Sequence, residues 1–275
     1  MNEGDRNMQT MWENNYAQRT QWLKSSAIRE LLKVTQMPDC ISFGGGLPAP
    51  EIFPVEEIAA TAQKVLRDKG PQSLQYSTTE GYLPLREFIA NYVSAGNVSI
   101  SPDNVLITSG SQQALDMLGK VFLDEGDTVL VDSPTYMGAL QAWAAYGARY
   151  QVVPTDGDGI ILEELETLLK ASPKWIYAMP NFQNPTGLTL SLKHRQQLIE
   201  ITNRHGIPLI EDDPYVQLRF EGEPLPSLIQ LAGQLQTPGQ KGLHSNVIYL
   251  GTFSKILAPG LRLGWMIAPL EVISK

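Results

Sequence analysis

From about residue 100 onward the apolar positions fall into short, β-branched runs separated by stretches with helical spacing. The runs are Val105–Thr108, Thr128–Val131, Tyr150–Val153, Trp175–Met179, Pro208–Ile210, Val247–Leu250 and Leu263–Ala268. Helical patterns over Gln112–Phe122, Gly138–Tyr146, Leu162–Lys170 and Leu192–His205 separate most of them. Strands alternating with helices at this spacing predict an α/β fold with a mostly parallel, seven-stranded sheet flanked by helices. The last two runs are joined by about a dozen residues without a helical pattern, so the final strand is expected to run antiparallel.

Before residue 100, Ser25 and Ser26 can cap a helix over AIRELLKVTQ, whose Ile28, Leu31 and Leu32 share a face. ISFGGGLPAPEIFP is rich in Gly and Pro and reads as a linker, followed by a helix from Val55 to about Lys69. The expected organisation is an arm, helix and linker over 1–54 and a large ligand-binding domain over 55–275.

Composition narrows the function. A formal charge of −8 leaves no basic excess to neutralise phosphates, so nucleic acid is not an expected partner. No apolar stretch is long enough to span a bilayer, and the polar N-terminus lacks a signal-peptide pattern. Cys40 is the only cysteine, which excludes an intramolecular disulfide or a Cys-rich metal site and fits a reducing cytoplasm. His194, His205 and His244 are scattered, so no metal site is expected.

In doubly wound sheets, ligands bind beyond the carboxyl ends of the strands. Ser109-Gly110-Ser111-Gln112 turns from a strand into a helix, whose free N–H groups attract an anion, although such a turn also serves as a plain connection. Tyr136 is either a rim aromatic or a flat ring available for stacking. Pro185 restricts Asn184 to an extended backbone and so aims an amide across the strand ends. Glu211, Asp212 and Asp213 cannot all be buried without cations or strong donors, and strand alternation sets Asp212 on the opposite face from its neighbours. Lys255 sits among small hydroxyl residues, one short loop before Arg262. An amine nucleophile there needs its ordinary pKa of about 10.4 lowered, which partial desolvation and a nearby arginine both do.

These residues carry a family resemblance. SGSQQAL, SPTYMGA, NFQNPTG, EDDPY, TFSK and PGLR, with SSAIRELLKVTQMPDCISFGGGLPAPEIFP and LQYSTTEGYLPLREFIA before them, resemble the class I/II, fold-type I aminotransferases. They are most similar to the 2-aminoadipate aminotransferase branch, over about Ser25 to Pro269. The resemblance implies the pyridoxal-phosphate transferase fold and pyridoxal 5'-phosphate as cofactor. Lys255 would carry the cofactor as a Schiff base and move the proton, Asp212 would bind the pyridine nitrogen, and Tyr136 would stack on the ring. Asn184 and Tyr215 would bond the phenolic oxygen. Ser111, Gln112, Thr252, Ser254 and Arg262 would hold the phosphate. Tyr76 would reach the phosphate of a partner subunit, which implies a homodimer. Arg29 would contact the distal carboxylate of an acidic substrate, and Gly45 would line the substrate pocket with Asn184, although a surface arginine and a plain turn also account for these two positions.

The implied activity belongs to amino acid metabolism: ping-pong amino transfer between an amino acid and a 2-oxo acid. Glutamate/2-oxoglutarate would be one couple, and 2-aminoadipate, an aromatic or a branched-chain amino acid the other. A lyase or decarboxylase on the same fold remains open, because the motifs hold the cofactor rather than choose which bond breaks. A transcriptional regulator is disfavoured by the acidic charge and the short polar arm. The family continues into a small C-terminal domain whose arginine clamps the substrate α-carboxylate. No residue here matches that arginine, so the small domain is expected to be missing and a cofactor-binding but inactive chain is a further reading.

Overall fold

The computed structural model describes residues 11–23, 37, 39–41, 46–94, 98, 100–235 and 243–275. The expected helix over AIRELLKVTQ, with Arg29, and the glycine Gly45 lie outside the described residues.

Seven strands form the main sheet: β1 (Val105–Thr108), β2 (Thr128–Val131), β3 (Arg149–Val152), β6 (Trp175–Ala178), β7 (Leu209–Asp212), β8 (Val247–Thr252) and β9 (Gly264–Ile267). A two-stranded hairpin, β4 (Thr155–Asp156) and β5 (Gly159–Ile160), lies apart from it. The sheet order is β1-β9-β8-β7-β6-β2-β3. β3, β2, β6, β7 and β8 pair in parallel, and β9 runs antiparallel to both β8 and β1. The antiparallel last strand and the parallel remainder agree with the spacing of the apolar runs, because the short β8–β9 connection leaves no room for a crossover helix.

Helices cover both faces, which is why the central strands are buried along their whole length. Leu130, Ile176, Leu209, Val247 and Ile267 pack on one face with Leu198 and Leu228 from the helices Leu192–His205 and Leu228–Gln234. Val129, Tyr177, Ile210, Leu250 and Met266 pack on the other with Leu115 and Trp143 from the helices Ser111–Phe122 and Met137–Ala144. Period-two alternation therefore assigns Asp212 to the second face, with Tyr177.

Several boundaries differ from the sequence expectation. β7 continues through Glu211 and Asp212, and β8 through Gly251 and Thr252, so these residues end the strands rather than follow them. A polar strand end is paired by its neighbours whatever its hydropathy: Asp212 and Leu250 are register partners. The helix from Val55 runs on to Ser73 through a non-helical Lys69, accommodating Pro71 after the kink. The helices Leu83–Val93 and Leu228–Gln234 were not expected; the first tolerates Pro84 because a proline in the first turn removes only an N–H without an intrahelical partner. Among the described residues, no helix is long and apolar enough to cross a membrane.

Candidate active site

An open cleft of about 250 Å³ lies beyond the strand ends. Ser111, Gln112, Tyr136, Asn184, Asp212, Tyr215, Thr252, Ser254, Lys255 and Arg262 all line it, with Gly110, Met179, Pro214 and Pro259. Tyr76 lies outside this lining and is 98% exposed, with its side chain directed to solvent.

A helix start forms part of the cleft. Gly110 caps the helix Ser111–Phe122 at φ 79°, and the first N–H groups of any helix lack intrahelical partners. A Cβ on Gly264 would lie 2.6 Å from both the Gly110 carbonyl carbon and the Ser111 nitrogen, so only glycine lets β9 approach the helix start this closely. A Cβ on Gly110 would lie 2.6 Å from Arg262 Nη2. Arg262 itself takes a left-handed backbone (φ 51°), and its guanidinium donates to Ser109 O at 3.3 Å and Pro259 O at 3.2 Å. The Thr252 hydroxyl accepts from the Ser254 N–H (3.1 Å), donates to Leu263 O (3.1 Å) and lies 2.9 Å from Ser254 Oγ. The Gln112 side chain is already engaged, donating to Gly138 O at 2.9 Å, so at this position the backbone N–H is the group left for an anion.

Asp212, 2% exposed, also lines the cleft. Its Oδ2 accepts from the Tyr177 hydroxyl at 2.8 Å, while its buried Oδ1 has no hydrogen-bond partner among the described residues. Burial pushes this carboxyl up to about 7, with the Tyr177 hydrogen bond opposing the rise and the neighbouring Asp213 charge adding to it. Glu211 and Asp213 are also buried, on the opposite face, and each is held differently. Glu211 accepts from the N–H groups of Leu228 and Ile229 at 2.8 and 2.9 Å, at the start of the helix Leu228–Gln234. Asp213 accepts from Asn181 Nδ2 at 3.0 Å. Burial raises both, and the positive charge of Arg195 opposes the rise in each. Arg195 is fully buried and donates to Leu190 O, Pro226 O, Pro180 O and Asn181 Oδ1. The three consecutive acids are thus all interior, divided between the two faces of the strand.

Lys255, Tyr136, Asn184 and Tyr215 line the same cleft. Lys255 is half-buried, and its ammonium donates to Gly46 O at 3.0 Å. Burial lowers its pKa. Asn184 Nδ2 lies 3.5 Å from Tyr215 Oη, the outer limit for a hydrogen bond, in a loop whose Asn184–Pro185 peptide is cis. Burial and the nearby Asp212 charge raise the Tyr136 phenol. Gly138 makes room for that ring, since a Cβ there would meet the ring's Cζ.

Three features were not visible in the sequence. Tyr177 reads as one more aromatic in an apolar strand. Gln183 ties two cleft loops together, its amide donating to Asp132 Oδ2 (2.8 Å) and Pro134 O (2.7 Å) while its carbonyl accepts from Thr186 N (2.8 Å). Arg195 reads as a polar helix residue. The only sequence signal for the last was the charge imbalance of three adjacent acids, which called for a buried partner somewhere.

The family model for aminotransferase class I and II matches residues 38–275. The 2-aminoadipate transaminase of Thermus thermophilus is 47% identical over 265 residues, covering 96% of this chain and 64% of its own length. The aromatic-amino-acid aminotransferase 1 of Thermococcus litoralis is 41% identical over 271 residues, covering 96% and 63%. Among solved structures, LysN, the α-aminoadipate aminotransferase from Thermus thermophilus complexed with N-(5'-phosphopyridoxyl)-L-leucine, superposes with a TM-score of 0.85 at 45% identity, covering 96% of this chain and 65% of that one. The chain therefore spans just under two thirds of the length of these relatives. The sheet is that of fold-type I pyridoxal-phosphate transferases, and the chain belongs to the class I and II aminotransferase family.

Proposed function

We propose that the protein binds pyridoxal 5'-phosphate in this cleft and takes part in amino transfer between an amino acid and a 2-oxo acid. The observation that carries the reading is Asp212: a buried carboxylate with one oxygen unpartnered among the described residues, in a cleft that also holds a half-buried lysine and a helix start backed by an arginine. An unpaired buried carboxylate oxygen is costly, and a protonated ring nitrogen offers it a charge-assisted hydrogen bond. The phosphate fits the Ser111 and Gln112 N–H groups, the Thr252 and Ser254 hydroxyls and the Arg262 guanidinium. Asn184 and Tyr215 would bond the phenolic oxygen, and Tyr136 would cover the ring face.

When bound, pyridoxal phosphate supplies an electron sink for the charge that develops next to the substrate nitrogen. The chain's own part is to hold and to move protons. Asp212 would keep the ring nitrogen protonated, its Oδ1 accepting from that N–H while Oδ2 keeps the Tyr177 bond. Lys255 Nζ, with its pKa lowered by burial, is the base that takes the substrate α-proton and returns it. Met179 and Pro214 form part of the cleft wall.

Similarity to the 2-aminoadipate transaminase and to the aromatic-amino-acid aminotransferase supports the choice of substrates. Glutamate/2-oxoglutarate would be one couple, with 2-aminoadipate, an aromatic or a branched-chain amino acid the other, and Arg29 and Gly45 would meet the substrate. The exposed Tyr76 supports a homodimer in which it reaches the neighbouring site, and the lone, exposed Cys40 supports a cytoplasmic location. The test is a single turnover of the full chain loaded with cofactor and glutamate. Release of 2-oxoglutarate with conversion of the cofactor to its amine form is expected; cofactor binding without that conversion would leave a binding chain and refute amino transfer.

A further inference from the structure

The proposed cofactor site leaves one arrangement unexplained: a tyrosine hydroxyl committed to one oxygen of the carboxylate. Tyr177 is in β6 and Asp212 in β7, and their register pairs Tyr177 with Ile210. Asp212 is thus the diagonal neighbour on the same face, within reach of a long aromatic side chain that leans along the strand. The Tyr177 ring is fully buried and meets Trp143 edge-on, with centroids 5.3 Å apart at 81°. Trp143 is itself pinned by its Nε1, which donates to Leu115 O at 2.9 Å in the helix Ser111–Phe122. The hydroxyl therefore has a fixed place.

We infer that Tyr177 is a positioning residue for the cofactor-binding carboxylate: its hydroxyl occupies Oδ2 of Asp212 and leaves Oδ1 alone to meet a cationic N–H donor in the cleft. This rests on the proposed function for the identity of the donor. Burial and the adjacent Asp212 charge hold the Tyr177 phenol in its protonated form, so it acts only as a donor to the carboxylate. The other titratable groups facing Asp212 are Tyr136, Tyr215, Tyr249 and Asp213, with Asp132 acting on Tyr177 and Lys255 and Arg262 lining the same cleft. Among the described residues, only Tyr177 hydrogen-bonds the Asp212 side chain. Removing its hydroxyl takes away the one contact that favours the carboxylate form, so the proton affinity of Asp212 should rise.

The experiment compares wild type, Tyr177→Phe and a chain carrying 3,5-difluorotyrosine at position 177. In the cofactor-free chain, carboxyl-carbon NMR of labelled aspartate reads the Asp212 midpoint. Tyr177→Phe should raise it by roughly one unit, a tenfold gain in proton affinity, and the more acidic fluorotyrosine should lower it. Pyridoxal phosphate titrations near neutral pH should then show affinity falling by on the order of tenfold in Tyr177→Phe, with no further loss when the change is made on Asp212→Asn. A merely structural tyrosine would lower the melting temperature and leave the midpoint in place. If Tyr177→Phe does not fold, the fluorotyrosine chain, which keeps the ring, carries the test. A wild type that binds the cofactor while the Asp212 midpoint ignores both changes overturns this inference alone. A wild type that does not bind the cofactor overturns the functional reading and, with it, the donor assigned to Oδ1.

Discussion

Replacing Asp212 with asparagine should make the cofactor-free chain more stable at alkaline pH while weakening its grip on pyridoxal phosphate. The carboxyl rises from 3.8 to about 7 on folding, chiefly through burial. Because the native state keeps a proton that the unfolded state has lost, stability falls as pH climbs from about 4 to about 7. A rise of about three units at ~1.4 kcal/mol each amounts to on the order of 4 kcal/mol, of which on the order of 3 lies above about pH 5. Asparagine does not titrate, and its side-chain oxygen can still accept from Tyr177, so this part of the slope should vanish. Urea unfolding near pH 5 and near pH 8 measures it: wild type should lose on the order of 3 kcal/mol more than the variant between the two. Glu211 and Asp213 also have raised pKa values, but they remain in both chains and largely cancel in the difference. Equal pH slopes in the two proteins would refute the claim that the carboxyl is buried without a cationic partner.

Gly264→Ala should cost about 1–3 kcal/mol by forcing backbone apart at the helix start, seen as a lower melting temperature, and it should also weaken pyridoxal phosphate binding measured in a titration. Arg195→Met should destabilise by about 3–5 kcal/mol at neutral pH, because the buried Asp213 carboxylate loses the one fully buried cation among the described residues. That loss should shrink in acid, where Asp213 is protonated; urea unfolding at two pH values checks it. Borohydride reduction followed by mass spectrometry should attach the cofactor to wild type and not to Lys255→Ala, and an adduct surviving on the variant would remove Lys255 from its assigned role.

The site was unusually legible for one reason: ten of its expected residues follow the apolar runs that form strands, and strand ends in a doubly wound sheet converge. Asp212 ends β7 and Lys255 follows β8, far apart in the chain, yet each needed only its own strand. Gln112 lines the cleft at the helix start, where its side chain is taken up by the bond to Gly138 of the neighbouring helix and its backbone N–H is left. The helix Leu228–Gln234 was missed although its first N–H groups hold Glu211. Its seven residues carry no long periodic signal, and its helicity is supported by packing against the sheet and by the Ser227–Gln230 capping box.

The sequence by itself determined the alternation of strands and helices, the antiparallel last strand and the identity of the residues at the strand ends, because each depends on a pattern local to a few residues. Only the tertiary structure decided how three adjacent acids could all be interior. Glu211 meets a helix start, Asp213 meets Asn181 within the field of Arg195, and Asp212 meets Tyr177 from the next strand, leaving one oxygen toward the cleft. Which partner each acid finds depends on strand order and register, and these are set by pairings between segments distant in the chain that no local pattern encodes.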